Sequence, residues 1–140
     1  MQVVNFDEVV DLITDRDTRY HREAYCFVRE ALDHTQKKAM KSREGQVCHV
    51  TGQELLAGIR DFALQQFGPM TLTVLEEWGV RRCEDFGEIV FNMVESGLLA
   101  KTDKDSREDF KNGYRFEEAF RQPFLPADKK TPPAREAKPA

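Results

Sequence analysis

Four carboxylates, Glu84, Asp85, Glu88 and Glu95, fall within the stretch "EDFGEIVFNMVESGLLAKT" that runs from 84 to 102. Together they make a negative face on one helix. The chemistry this face allows is electrostatic: it attracts a basic partner and opposes phosphate, by about 4 kcal/mol for one charge pair 4 Å apart at the effective dielectric of a protein surface. Bases flank the same stretch, Arg81 and Arg82 ahead of it and Lys101, Lys104, Arg107 and Lys111 at and beyond its end. These six are the candidate contacts for a nucleic acid. Because the bases between Lys101 and Arg115 alternate with Asp103, Asp105, Glu108 and Asp109, charge nearly cancels there. The carboxylates are therefore the first candidate surface, and the bases the second.

Other reactive side chains suggest no catalytic centre. "DFG" at Asp85 to Gly87 matches the metal-binding signature of protein kinases, yet the chain lacks a glycine-rich loop and an HRD catalytic loop. Asp85 and Glu84 instead suit the first turn of a helix, where negative charge favours the macrodipole. Gly87 suits the close approach of a neighbouring helix. Cys26, Cys48 and Cys83 are odd in number and widely spaced, with no CxxC pair, so they suggest buried thiols rather than disulfides or zinc ligands. Cys48 and His49 are adjacent, and adjacent residues of a strand point to opposite faces. No metal, no cofactor and no enzymatic activity is expected.

The elements that position these residues follow from apolar spacing. Phe6, Val9, Val10 and Ile13 mark one face of a short helix. Tyr20, Ala24, Phe27, Val28, Ala31 and Leu32 repeat that face in a second helix, which is expected to fade into a mobile loop over "DHTQKKAMKSREG". "QVCHV" suggests a short extended piece. Thr51 and Glu54 form a capping box flanked by Val50 and Leu55, so a third helix starts at Gly52 and ends at Gly68-Pro69. "MTLTVLEEW" is a fourth helix, with Trp78 expected to fill the junction of three helices. A fifth carries Phe86, Ile89, Val90, Met93 and Val94 inward and stops at Gly97. "LLAKT" and "FKNGYRF" then suggest two strands joined by a polar loop.

Helix, turn, helix and hairpin in this order predict a mainly α (α+β) fold: a winged-helix-like three-helix core over about 51–116, with a two-stranded C-terminal wing and an N-terminal helical extension. At 140 residues one domain, 1–120, is expected. Beyond it, 121–140 is expected to be a disordered Pro/Lys-rich tail, because five of the six prolines lie at or after Pro123 and little apolar surface offsets the entropy of ordering.

Charge divides along the chain. The 21 Lys+Arg and 25 Asp+Glu give a net charge of −4, and the segment from Arg121 onward carries +3, which leaves −7 for the body. An acidic body repels nucleic acid and anionic membrane at long range. No basic, then apolar, leader opens the chain, and no apolar run approaches the roughly 18 residues of a spanning helix. A cytoplasmic protein is expected.

The phrases "YHREAYCFVREAL", "HVTGQELLAGIRDFALQQFG", "VLEEWGV", "EDFGEIVFNMVESGLL" and "DSREDF", in this order, resemble a small uncharacterised bacterial family of proteins of about this length, over roughly Arg19 to Phe116. That resemblance implies no activity, cofactor or catalytic residue. Fold alone does not fix function. The expected role is a protein-interaction or scaffold module that binds another protein through Glu84, Asp85, Glu88 and Glu95. The alternative is a nucleic-acid or transcriptional accessory that uses Arg81, Arg82, Lys101, Lys104, Arg107 and Lys111.

Overall fold

The computed structural model describes residues 5–42, 49–101 and 105–126. Five α-helices form its body: α1 (Phe6–Arg16), α2 (Arg22–Ser42), α3 (Gly52–Phe67), α4 (Thr71–Glu77) and α5 (Cys83–Glu95). A 3-10 turn (Gly68–Met70) leads into α4. The chain after α5 forms a 3-10 turn (Arg107–Phe110), a π-helical turn (Glu117–Arg121) and a last 3-10 turn (Gln122–Phe124).

Local signals set several boundaries. The Asn5 side chain caps α1 by accepting from the N–H groups of Asp7 and Glu8. At α3, Thr51 Oγ1 accepts from the Glu54 N–H at 3.1 Å and the Glu54 carboxylate accepts from the Thr51 N–H at 3.0 Å, the reciprocal box expected from the sequence. Val50 and Leu55 are buried beside it. α4 and α5 end alike, at Gly79 (φ 85°) and Gly97 (φ 81°). In each case the following residue's N–H reaches back to the helix, Val80 to the Leu75 carbonyl and Leu98 to that of Met93, both at 2.9 Å. These are Schellman caps, whose left-handed residue strongly favours glycine.

The core is continuous from α1 to the last turns. Val10, Ile13, Tyr25, Val28, Leu56, Ile59, Leu75, Val80, Phe86, Ile89, Met93 and Phe120 are all fully buried, each contributing roughly 1.5–3 kcal/mol of burial where the side chain is large and apolar. α2 packs most extensively on α3 and also crosses α5 and α1. α1 and α2 are thus part of the core that the sequence reading confined to 51–116. Trp78 is half-buried in a ring cluster with Phe27 and Phe67, at centroid distances of 5.5 and 5.7 Å.

Two expectations are corrected. α2 continues to Ser42 instead of fading after Leu32. Its polar half is helical because Thr35 is buried against α3, Lys37 pairs with Asp33 one turn away, and Lys38 reaches Asp61 of α3. The expected two-stranded wing is not found, since the described residues contain no strand. Leu98 serves the α5 cap, and Ser106 opens a 3-10 turn in which its hydroxyl accepts from the Glu108 N–H while Asp109 accepts from the Ser106 N–H. Tyr114 and Phe116 alternate for only two positions, after which Phe116, Ala119 and Phe120 follow helical spacing and are buried. The expected winged-helix-like fold is therefore corrected to a mainly α fold, with no strand among the described residues.

Residues 46–48 of "QVCHV", Lys104 and residues 127–140 lie outside the described residues, whereas residues 121–124, the start of the tail expected over 121–140, belong to the last helical turns. No described helix is long and apolar enough to cross a membrane.

Candidate functional site

Asp85 sits in the first turn of α5, and both its carboxylate oxygens are engaged. Oδ2 accepts from the backbone N–H groups of Arg81 at 2.9 Å and Arg82 at 3.3 Å. An arginine side chain has no acceptor, so the box at this helix start is one-sided and Asp85 alone closes it. Oδ1 accepts from the Tyr20 hydroxyl at 2.6 Å. Burial, and secondly this bond to a carboxylate, pushes the Tyr20 phenol above its usual range. Phe86 is fully buried, and a Cβ on Gly87 would come within 2.9 Å of the Phe110 ring. What approaches Gly87 is therefore the Arg107–Phe110 turn, not another helix.

Farther along α5, Glu88 lies between two arginines. Its Oε1 accepts from Arg19 at 3.1 Å and its Oε2 from Arg107 at 3.1 Å. Arg107 also donates to Glu95 at 3.3 Å and lies over the Phe91 ring, 5.0 Å from its centroid. At the other end Arg19 donates to Asp17 at 2.7 Å, and the Asn92 amide donates both to Asp17 at 2.9 Å and to the Tyr25 hydroxyl at 3.0 Å. The Arg19 hydrogen bond, against the opposing effect of burial and helped by Asn92, holds the Asp17 carboxyl well below the usual carboxylate range. The result is a ladder, Asp17, Arg19, Glu88, Arg107, Glu95, that ties the α1–α2 turn and the Arg107–Phe110 turn to α5. Its charges alternate and nearly cancel.

A different arrangement holds at the N-terminal end of α5. Arg81, Arg82, Glu84, Arg115 and Glu117 line an open crevice of about 370 Å³ together with Tyr114 and Phe116, and Glu117 is paired with Arg121 at 3.0 Å. The three arginines are exposed, and their side chains make no ion pair among the described residues. Glu84 is half-buried there and likewise unpaired. Arg115 was not among the sequence candidates; its place between Tyr114 and Phe116 was the available signal, but its convergence with Arg81 and Arg82 depends on how the chain folds back after α5.

The remaining candidates are scattered. Lys111 pairs with Glu108 at 2.9 Å, and Lys101 stands at the rim of a small apolar pocket of about 90 Å³ between α2, α3 and α5. His49 lies at that same rim, its Nε2 2.7 Å from Asp105. Cys83 is buried, and desolvation pushes its thiol up to about 11, away from the thiolate that a nucleophile needs. Burial also raises the Cys26 thiol. Among the described residues, no group of three or more His, Cys, Asp or Glu side chains could hold a metal ion.

Neither a scan of protein-family models nor searches of curated proteins and solved structures find a match to this chain.

Proposed function

We propose that this chain is a non-enzymatic protein-interaction module that works in the cytoplasm by presenting a fixed surface. The observation that carries this reading is the division of charge along α5. Asp85, Glu88 and Glu95 are engaged within the chain, whereas Arg81, Arg82 and Arg115 face solvent around one crevice with no ion pair among the described residues. The carboxylate face is a poor docking surface, because a partner's bases would have to displace Arg19 and Arg107. The contact surface is the arginine-lined end. Bound nucleic acid is the weaker reading, since Arg107 and Lys111 are paired with carboxylates.

Affinity capture with the full chain from a nuclease-treated native lysate tests the proposal. Stoichiometric retention of a protein supports it. Retention that disappears with nuclease, leaving no protein, overturns it in favour of the nucleic-acid reading.

A further inference from the structure

We propose that the crevice at the start of α5 docks an acidic, extended segment of a partner protein, with Arg81, Arg82 and Arg115 taking its carboxylates. This rests on the reading of the chain as a protein-interaction module.

Arg81 and Arg82 come from the turn before α5, and Arg115 comes from the segment that folds back on it after the Arg107–Phe110 turn. Both supports are tied into the fold. Arg81 and Arg82 are held by their backbone bonds to Asp85. The segment carrying Arg115 lies so close to α5 that a Cβ on Gly113 would come within 2.8 Å of Cys83 Sγ. Cys83 Sγ in turn donates to the Tyr114 carbonyl at 3.4 Å, and the Tyr114 hydroxyl donates to the Leu56 carbonyl of α3 at 2.8 Å. Phe116 packs on Phe86 at a ring distance of 5.7 Å. Arginines on a fixed frame lose less freedom on binding than arginines on a loop.

Chemistry selects the ligand. A guanidinium presents a planar fork that matches a carboxylate through two parallel hydrogen bonds. Three forks around about 370 Å³ accommodate a few residues of chain, not a single ion. The aromatic floor of Tyr114 and Phe116 adds an apolar surface for a side chain between the acids. Glu84 and Glu117 limit the positive charge, which disfavours a densely charged phosphate backbone more than spaced carboxylates. A duplex would gain only about three phosphate contacts here.

Fluorescence anisotropy with the full chain at physiological salt tests this, using a labelled peptide of about ten residues rich in Glu and Phe, its Lys counterpart and a duplex of about 20 base pairs. The Glu peptide should bind, and the combined Arg81→Ala, Arg82→Ala and Arg115→Ala variant should weaken it by about tenfold or more. Glu84→Gln should strengthen it by about two- to threefold. Lys41→Glu, at the end of α2 and outside the crevice, should leave it unchanged. The proposal is overturned if the Glu peptide does not bind, if the triple variant binds it equally well, or if the duplex binds more tightly through the same arginines. Lysate capture separates the two readings. A partner held equally by the parent and the triple variant sinks the crevice but leaves the module, whereas no protein held by either form sinks both.

Discussion

The two ends of α5 carry similar side chains and use them differently. Along its middle and C-terminal turns, Glu88 and Glu95 meet Arg19 and Arg107 in a closed ladder. Around its first turn, Arg81, Arg82 and Arg115 make no ion pair among the described residues although Glu84 shares their crevice, and the nearby Asp85 is turned inward to the backbone and Tyr20. Composition alone would assign both regions to a charged surface. Pairing separates them: a satisfied charge contributes to the fold, and an unsatisfied one is left for a partner. The ladder should therefore respond to substitution through stability, and the crevice through binding.

Phe110→Ala should have the largest effect. Phe110 is 3% exposed, packs edge-on against Phe91 and abuts Gly87, so it seats the turn that carries Arg107. Removing the ring should cost about 3–5 kcal/mol, the range for a buried aromatic. Chemical denaturation measures it, and a loss below about 1 kcal/mol would mean that the ladder's far end is not anchored by packing.

Asn92→Ala acts at the buried end of the ladder. It deprives Asp17 of one donor and the Tyr25 hydroxyl of its partner inside the core. Leaving a buried polar group unsatisfied should cost about 2 kcal/mol. Tyr25→Phe in the Asn92→Ala background should recover part of that loss, because it removes the orphaned hydroxyl. No recovery in denaturation midpoints would show that the Asn92–Tyr25 bond is not the source.

How much of this was legible depends on the range of the signal. The Thr51–Glu54 box and the glycine stops at Gly79 and Gly97 involve residues a few positions apart, and each was visible as a local pattern. The buried face of α2 was visible to Leu32, but its polar half was not, because its helicity depends on Thr35, Lys37 and Lys38 meeting α3 or one another. The wing failed for a related reason. Two alternating aromatics fit a strand and the start of a helical repeat equally well, and the repeat through Phe120 decides between them. Ser106 with Asp109 was a local capping signal within the stretch taken as a polar loop. At the site, the carboxylates and bases were legible as residue types. Their partners were not, because Asp17 and Arg19 lie about seventy positions from Asn92 and Glu88.

The ladder should also give the fold an acid-sensitive component. Asp17 has its folded pKa depressed, chiefly by Arg19, so its contribution is fully present above the unfolded value of about 3.9 and is lost as pH falls through the lower folded value. Arg19 is 53% exposed, and water screens the pair, so about 1 kcal/mol is expected at neutral pH. Asp17→Asn should be less stable at pH 7 and converge with the parent as pH falls below about 4. Denaturation midpoints that remain parallel across that range would remove Asp17 as the titrating group.

The smallest stability effect should come from the crevice. Arg81, Arg82 and Arg115 are exposed, so converting all three to Ala removes no ion pair among the described residues. Like-charge repulsion among three guanidiniums that share one crevice is relieved at the same time, offsetting whatever apolar contact their stems make with Tyr114 and Phe116. The net change should stay within about 0.5 kcal/mol, as for other surface substitutions. Glu88→Ala provides the contrast, because it leaves Arg19 and Arg107 facing each other without the carboxylate that joins them, and should destabilise by more than the triple variant. Thermal and chemical denaturation of the two variants side by side decide the matter. If the triple variant melts lower than Glu88→Ala, the arginines belong to the fold, and the distinction between a paired end and a presented end of α5 fails.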